Sequence, residues 1–485
     1  MDQNVAPLLE ALAEYHRLDR YGFTPPGHRQ GRGADPRALD ILGADPYRSD
    51  VLSTAGIDDR KSSGKYLSKA EELMAEAVGA EKAFFSTCGS SLSVKASILA
   101  VTKGNGDLLI GRDAHKSVVA GIILSGLQPR WIRPQWDREL HIAHPPSPEE
   151  VEKMWQRYPD AAAAFITSPT PYGTCADIAK IAEICHSRGK PLIIDEAWGA
   201  HLPFHDRLPT WAMDAGADIC VVSVHKMGMG FEQGSIYHLQ GNLVDPVRLS
   251  QCADLLSTTS ANVMIYAAID GWRRQMVQEG RKLLENALTL ADRVRIEIDA
   301  MDGLHVLGSE LTRAEASHDF DPLHVLIDVG ELGISGYQAA DWLRATHRID
   351  VGLNDHRRIE ATLSQSDNEE TTERLLTALR DLIYAARELP TPPKVQVPEP
   401  EDLEMETVML PRDAFFGPAE EAAGRIAAEQ ITPYPPGVPA ILPGERINAA
   451  AVNYLRSGSA AGMVLPDPSD PSVSTIRVVA HQRDQ

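Results

Sequence analysis

Cysteine is scarce: five thiols, at positions 88, 175, 185, 220 and 252, serve a chain of 485 residues, and no two stand at Cys-x-x-Cys spacing. An odd number so scattered excludes a complete disulfide framework and fits a reducing compartment, the cytoplasm. Basic residues are also in deficit, 47 Lys and Arg against 68 Asp and Glu, for a net charge of −21. Such a surface repels phosphate backbones and excludes nucleic acid as a partner, while giving a weak preference for a cationic substrate. No apolar run approaches the length of a membrane span. Met1 to Arg20 mixes acids, bases and apolar residues, so no secretory signal is expected. Among 16 histidines, His201 and His205 have the i, i+4 spacing of a helical metal pair, but Pro203 between them disfavours that helix, and no metal is expected.

What is present is an alternation. Apolar runs at Ala83–Phe85, Asp107–Ile110, Ala163–Thr167, Pro191–Asp195 and Asp218–Val224 predict strands. Between them, Asp177–Arg188 carries Ile178, Ile181, Ala182 and Cys185 at helical spacing, opens on a capping Asp177 and stops at Gly189. This is an α/β domain with a largely parallel sheet. A helical region follows at 263–300, then a smaller α/β unit with a strand at His324–Val329 and helices at Gly336–Thr346 and Glu369–Glu388. The expected division is an N-terminal segment (1–60), a large domain (61–300), a small α/β domain (301–390), a proline- and acid-rich linker (391–410) and a C-terminal domain (411–485). In the last of these a helix is predicted near Pro418–Glu429. The run Pro433-Tyr434-Pro435-Pro436-Gly437-Val438-Pro439, followed by Ile441-Leu442-Pro443-Gly444-Glu445, is expected to be a packed structural loop rather than a polyproline ligand.

Ser223-Val224-His225-Lys226 ends one buried strand and is followed by the glycine-rich stretch Gly228–Gly234. An amine at the end of a buried strand suits imine formation with a carbonyl cofactor. The strand Pro191–Ile194 ends in Asp195-Glu196-Ala197-Trp198, placing a carboxylate at the equivalent sheet edge. Pyridoxal phosphate needs both, a lysine for its aldehyde and a carboxylate to keep its pyridine nitrogen protonated. Taken singly, Asp195 also fits a plain strand end and Lys226 a solvated loop. Thr87-Cys88-Gly89-Ser90-Ser91 leads into a helix at Leu92–Val101, and a helix start with a glycine and hydroxyls suits a phosphate; ordinary N-capping by Ser90 or Ser91 explains it equally. A second His-Lys pair, His115-Lys116, competes for the imine role, but a helix at Ser117–Leu124 rather than a glycine-rich loop follows it, so Lys226 is preferred.

These residues, together with Pro26-Gly27-His28, Asp113-Ala114-His115-Lys116-Ser117 and Gly199-Ala200-His201, resemble the bacterial ornithine, lysine and arginine decarboxylases that share the aspartate-aminotransferase fold. The resemblance implies a pyridoxal-phosphate-dependent, fold type I large domain with a mostly parallel seven-stranded sheet and smaller α/β C-terminal domains. It implies decarboxylation of a basic L-amino acid, arginine before lysine and ornithine, in polyamine synthesis. By it, Lys226 holds the cofactor aldehyde, Asp195 pairs with the pyridine nitrogen, and His115 stacks on one ring face. Ala197 and Trp198 line the other face, and Gly89, Ser90, Ser91, Ser223 and His225 contact the phosphate. Lys226 or His201 is the proton donor to the product carbon, and Glu445 is a candidate partner for the substrate's distal cation, reaching across the dimer, with a plain surface carboxylate as the competing and more common reading. For His115 alone, a satisfied core histidine is the competing reading. The resemblance also implies a homodimer or higher oligomer with the active site at the subunit interface, and no N-terminal wing domain of the kind that builds decamers. Two departures bear on substrate choice: Ala114 stands where the family commonly has asparagine, and Met227-Gly228-Met229-Gly230 follows the lysine where a hydrophobic residue and leucine are usual. Another fold type I reaction, transamination with Arg357 or Arg358 holding the α-carboxylate, or a lyase reaction, is the alternative.

Overall fold

The computed structural model describes residues 1–52, 57, 65–102, 104–313, 316–399, 405–416, 419–420, 424–434 and 436–480. They fall into two compact units, Met1–Val101 with Gly189–Lys282, and Thr102–Arg188 with Leu283–Gln485. Seven strands make a mixed, mostly parallel α/β sheet: β1 (Lys82–Ser86), β2 (Asp107–Gly111), β3 (Gln128–Ile132), β4 (Ala164–Thr167), β5 (Leu192–Asp195), β6 (Ile219–Ser223) and β7 (Ser235–Leu239).

The first unit holds β1, β5, β6 and β7. Every residue of β5 and β6 is buried, which is why both are continuous apolar runs and not alternating ones. They pair in parallel, with Asp195 opposite Val221. β7 runs antiparallel to both β6 and β1, with Ser235 opposite Ser223 on one side and Ser86 on the other. Helix α1 (Gly89–Val101) follows β1.

In the second unit β2 is parallel to β3 and β4, and helix α2 (Lys116–Ser125) follows β2. Helix α3 (Ile178–His186) is capped by the Asp177 side chain, which accepts the Lys180 N–H as its sequence pattern predicts. The same unit contains a four-stranded antiparallel sheet of His305–Val306, His324–Asp328, Arg358–Thr362 and Leu353–Asn354, in that order. Gly336 begins the helix Gly336–Trp342 there, and a Cβ at this position would collide with the Arg358 carbonyl.

The C-terminal part builds its own core from Met405, Ala427, Ile431, Ile441, Leu455 and Val478, among others. The helix predicted near Pro418–Glu429 does not form among the described residues of that stretch. Ala419–Glu420 pairs with Val478–Val479, and Ile426 and Ala427 bridge to Arg446 and Val478. Gly424 lies in the left-handed region, and burial of Ala427 and Ala428 in the core overrides a modest helical preference. The 433–439 run is a packed loop with Pro433, Gly437 and Pro439 buried; Pro435 lies outside the described residues.

Ile194 is fully buried in β5, one residue before Asp195. Ile194→Ala is expected to cost about 2–5 kcal/mol, measured as a lower urea midpoint at unchanged slope; a loss well under 1 kcal/mol would show that this strand is not core.

Candidate active site

The end of β5 and the turn after β6 lie side by side. The Glu196 N–H donates to the Val221 carbonyl at 2.9 Å and the Ser223 N–H to the Ala197 carbonyl at 3.3 Å, so residues 195–197 run along 221–223. After Ser223 the chain enters a single helical turn, Val224–Met227, which carries Lys226. The amine is therefore held on a helix rather than on flexible backbone, and the glycine-rich stretch after it turns back into strand β7. A Cβ at Gly228 would lie 2.6 Å from the Val224 carbonyl oxygen and 3.0 Å from the Trp272 ring, so glycine is needed for this close return.

Asp195 is 3 % exposed and its carboxylate accepts the Ala197 N–H at 3.2 Å. Burial pushes its pKa up to about 6, against the pull of the Lys226 charge and that N–H. Lys226 is half-buried with its Nζ 4.3 Å from the centroid of the half-buried Trp198 ring. Burial lowers its pKa even though Asp195 and Glu232 favour the ammonium. A lysine so placed gives up its proton more readily than a solvated one, which is what a nucleophilic amine requires.

The phosphate candidates of this unit also meet. Ser223 Oγ donates to Ser90 Oγ at 2.8 Å, and the Gly89 N–H donates to the Gln233 carbonyl at 2.9 Å. His225 Nδ1 lies 3.1 Å from the Gly234 carbonyl, which can only accept, so this nitrogen carries a proton. Ser91 is exposed in the first turn of α1. His201 is buried in the turn that follows Trp198. An amine, a buried carboxylate, an aromatic face and hydroxyls at the start of a helix are the donor set that pyridoxal phosphate requires, and these residues fit it.

His115 belongs to the second unit, where it caps α2: its Nδ1 accepts the Ser117 N–H at 3.2 Å. Lys116, the competing lysine, lies 3.6 Å from Asp467. Glu445 is not a surface carboxylate. It is 1 % exposed and paired with Arg112 at 3.3 Å, so its charge has a partner within the chain. Arg357 binds Asp328 at 2.8 Å, and the fully buried Arg358 pairs with Asp355 at 3.2 Å and donates from Nη2 to the Leu140 carbonyl, so each guanidinium already faces a carboxylate of the chain, although Arg358 Nη1 is buried without a hydrogen-bond partner.

The sequence reading passed over Glu196. Its carboxyl is completely buried, accepting the Ala212 N–H at 3.2 Å and the Cys220 thiol at 3.1 Å. Burial pushes its pKa up to about 8, making it a neutral acid at pH 7. Its signal was an acid within the run Leu192–Ala197, facing a cysteine in the neighbouring strand.

A family model described as Orn/Lys/Arg decarboxylase, major domain, matches residues 6–369, and one for the C-terminal domain of the same family matches residues 404–467. The chain is 36 % identical to an arginine decarboxylase of Halalkalibacterium halodurans, over 98 % of each chain. It is 34 % identical to an arginine decarboxylase of Bacillus subtilis, over 100 % of this chain and 99 % of the relative. Its fold is similar to that of lysine decarboxylase A from Pseudomonas aeruginosa, with a TM-score of 0.80 and 22 % identity over 98 % of this chain and 81 % of that one.

Glu196 makes a pH prediction. Its pKa is raised on folding, so its contribution is complete below pH 4.5 and is lost as the pH rises through about 8. At about 1.4 kcal/mol per unit, the loss is on the order of a few kcal/mol. Glu196→Gln should therefore match the wild type in melting temperature near pH 5 and exceed it increasingly towards pH 9. Parallel curves would contradict a neutral Glu196.

Proposed function

The chain belongs to the Orn/Lys/Arg decarboxylase family, a pyridoxal-phosphate-dependent amino-acid decarboxylase, and within that family we propose that L-arginine is its substrate and agmatine and CO₂ its products. The observation that carries the choice is whole-length similarity at 34–36 % identity to relatives named arginine decarboxylase. A role in polyamine supply follows from that product. Among the described residues no helix is long and apolar enough to cross a membrane. Five cysteines, odd in number and all free, fit a reducing compartment and support a cytoplasmic location.

When bound, pyridoxal phosphate supplies a carbonyl for the substrate amine and a ring that accepts the electron pair left by the departing carboxylate. Lys226 would hold its aldehyde, and its lowered pKa keeps the amine available for exchange with the substrate. Asp195 would keep the ring nitrogen protonated; with a pKa of about 6 it is largely ionised at neutral pH. Gly89, Ser90, Ser91, Ser223, His225 and the open N–H groups of the first α1 turn would bind the phosphate. Ala197 and Trp198 would line one ring face, and His115 would stack on the other. Lys226 or His201 would return a proton to the product carbon.

The chain acts as a homodimer or larger homo-oligomer in this reading. Support comes from the N-terminal segment, where Phe23 is 88 % exposed and Ile41 and Leu42 are 64 % and 60 % exposed on the helix Pro36–Leu42, which buries none of its residues. The five-part domain division drawn from the sequence is retained with it. A transaminase reading is weaker, since Arg357 and Arg358 both bind carboxylates of the chain itself.

Purified holoenzyme offered L-arginine, L-lysine and L-ornithine separately, without a keto acid, should release agmatine from arginine at the highest kcat/KM, identified by mass. Preference for lysine or ornithine would overturn the substrate, and keto-acid-dependent turnover the reaction. Asp195→Asn should lower kcat on the order of 10²–10⁴-fold, the range for a lost proton-holding group.

A further inference from the structure

The C-terminal loop closes on His115 from the side opposite its cap. Gly437 has φ +88°, and a Cβ built there would lie 2.8 Å from His115 Cδ2, 3.0 Å from His115 Nε2 and 3.1 Å from Tyr434 Cε2. The contact is fixed on both sides by backbone, because the Lys116 N–H donates to the Gly437 carbonyl at 3.0 Å. On the imidazole's other edge, Nδ1 lies 2.9 Å from Ser117 Oγ and accepts the Ser117 N–H. That acceptor role places the ring proton of neutral His115 on Nε2, the edge that faces Gly437. The ring is thus held between a cap and a glycine.

The loop is itself tied down. Arg112 Nη1 donates to the Pro439 carbonyl at 2.8 Å and Nη2 to the Ala440 carbonyl at 3.4 Å, while Glu445, which pairs with the same guanidinium, accepts the Leu442 N–H at 3.0 Å. Arg112 and Lys116 flank His115 in sequence, so both loop anchors come from the segment that presents the histidine. A side chain at 437 cannot be relieved by moving His115 away without breaking the Ser117 cap, nor by moving the loop without breaking the Arg112 fork.

We propose that Gly437 is a positioning residue for His115: the absence of a side chain at 437 lets the loop 433–445 set the plane of the imidazole. This rests on the reading that His115 stacks on the cofactor. It gives the C-terminal domain a part in cofactor binding that acts through His115.

The test is a double-mutant cycle on apoenzyme titrated with pyridoxal phosphate, followed by tryptophan fluorescence and by the absorption maximum of the bound cofactor. Gly437→Ala should weaken cofactor binding roughly tenfold and move the absorption maximum, as expected when a contact group is displaced by about an ångström. In a His115→Ala background the same substitution should change binding by less than about twofold. Arg112→Lys, which loosens the loop without adding atoms beside His115, should act in the same direction and also be silent without His115. It carries the test if Gly437→Ala, judged by thermal unfolding, fails to fold. An equal loss in both backgrounds would overturn the inference while leaving His115 at the cofactor. No effect of His115→Ala itself would overturn the stacking reading and the inference with it.

Discussion

A carboxylate shielded from water at the end of a parallel strand, in the field of one half-buried amine, is the constraint on which the rest depends. Asp195 and Lys226 perturb each other in opposite senses to their burial: desolvation raises the acid and lowers the amine, and each charge partly restores the other. Neither shift wins completely. The acid stays mostly ionised near neutrality while the amine becomes easier to deprotonate, the pair of states that imine chemistry on a protonated pyridine ring requires. Asp195 closes an otherwise apolar strand and Lys226 stands on the helical turn that follows another, so both groups lie where buried strands end.

Around this pair the fold places groups that must be neutral or fixed. Glu196 points its carboxyl to Ala212 and Cys220 and stays protonated, so a second acid beside Asp195 adds no charge there. His238 in β7 is held neutral by burial, its pKa lowered to about 3, with its ring packed edge-on to Trp211. In the second unit the Arg112–Glu445 pair binds the C-terminal loop to the segment presenting His115. Burial and a cation pull on Glu445 in opposite directions, and burial dominates, pushing its pKa up to about 7. A buried pair of this kind fixes register more than it adds stability.

The parts of the fold that were legible are those whose signal is local. Strands β2, β4, β5 and β6 were readable because buried parallel strands are unbroken apolar runs, and α3 because its cap, periodicity and terminal glycine agree. β7 was hidden, since Ser235, Tyr237 and His238 sit in a stretch that begins with glycines and their burial arises only from neighbours on both sides. The short helix under Lys226 was likewise invisible, because one turn has no periodicity to read. Lys226, Asp195, Ser90 and Ser223, the candidates that the sequence offers, lie in one unit, with Ser90 and Ser223 in contact. Gly437 against His115 and Arg112 against Glu445 join residues more than 300 positions apart, and no pattern within a window can announce such a contact. The helix predicted near Pro418–Glu429 failed for the converse reason: its local preference was real but weaker than the pairing offered by Val478 and Arg446.

Reduction of the holoenzyme with borohydride, followed by proteolysis and mass mapping, tests the central pairing most directly. The account predicts a reduced pyridoxyl group on the peptide containing Lys226, lost in Lys226→Ala. A label on Lys116 or on any other lysine, or no stable label at all, would contradict it.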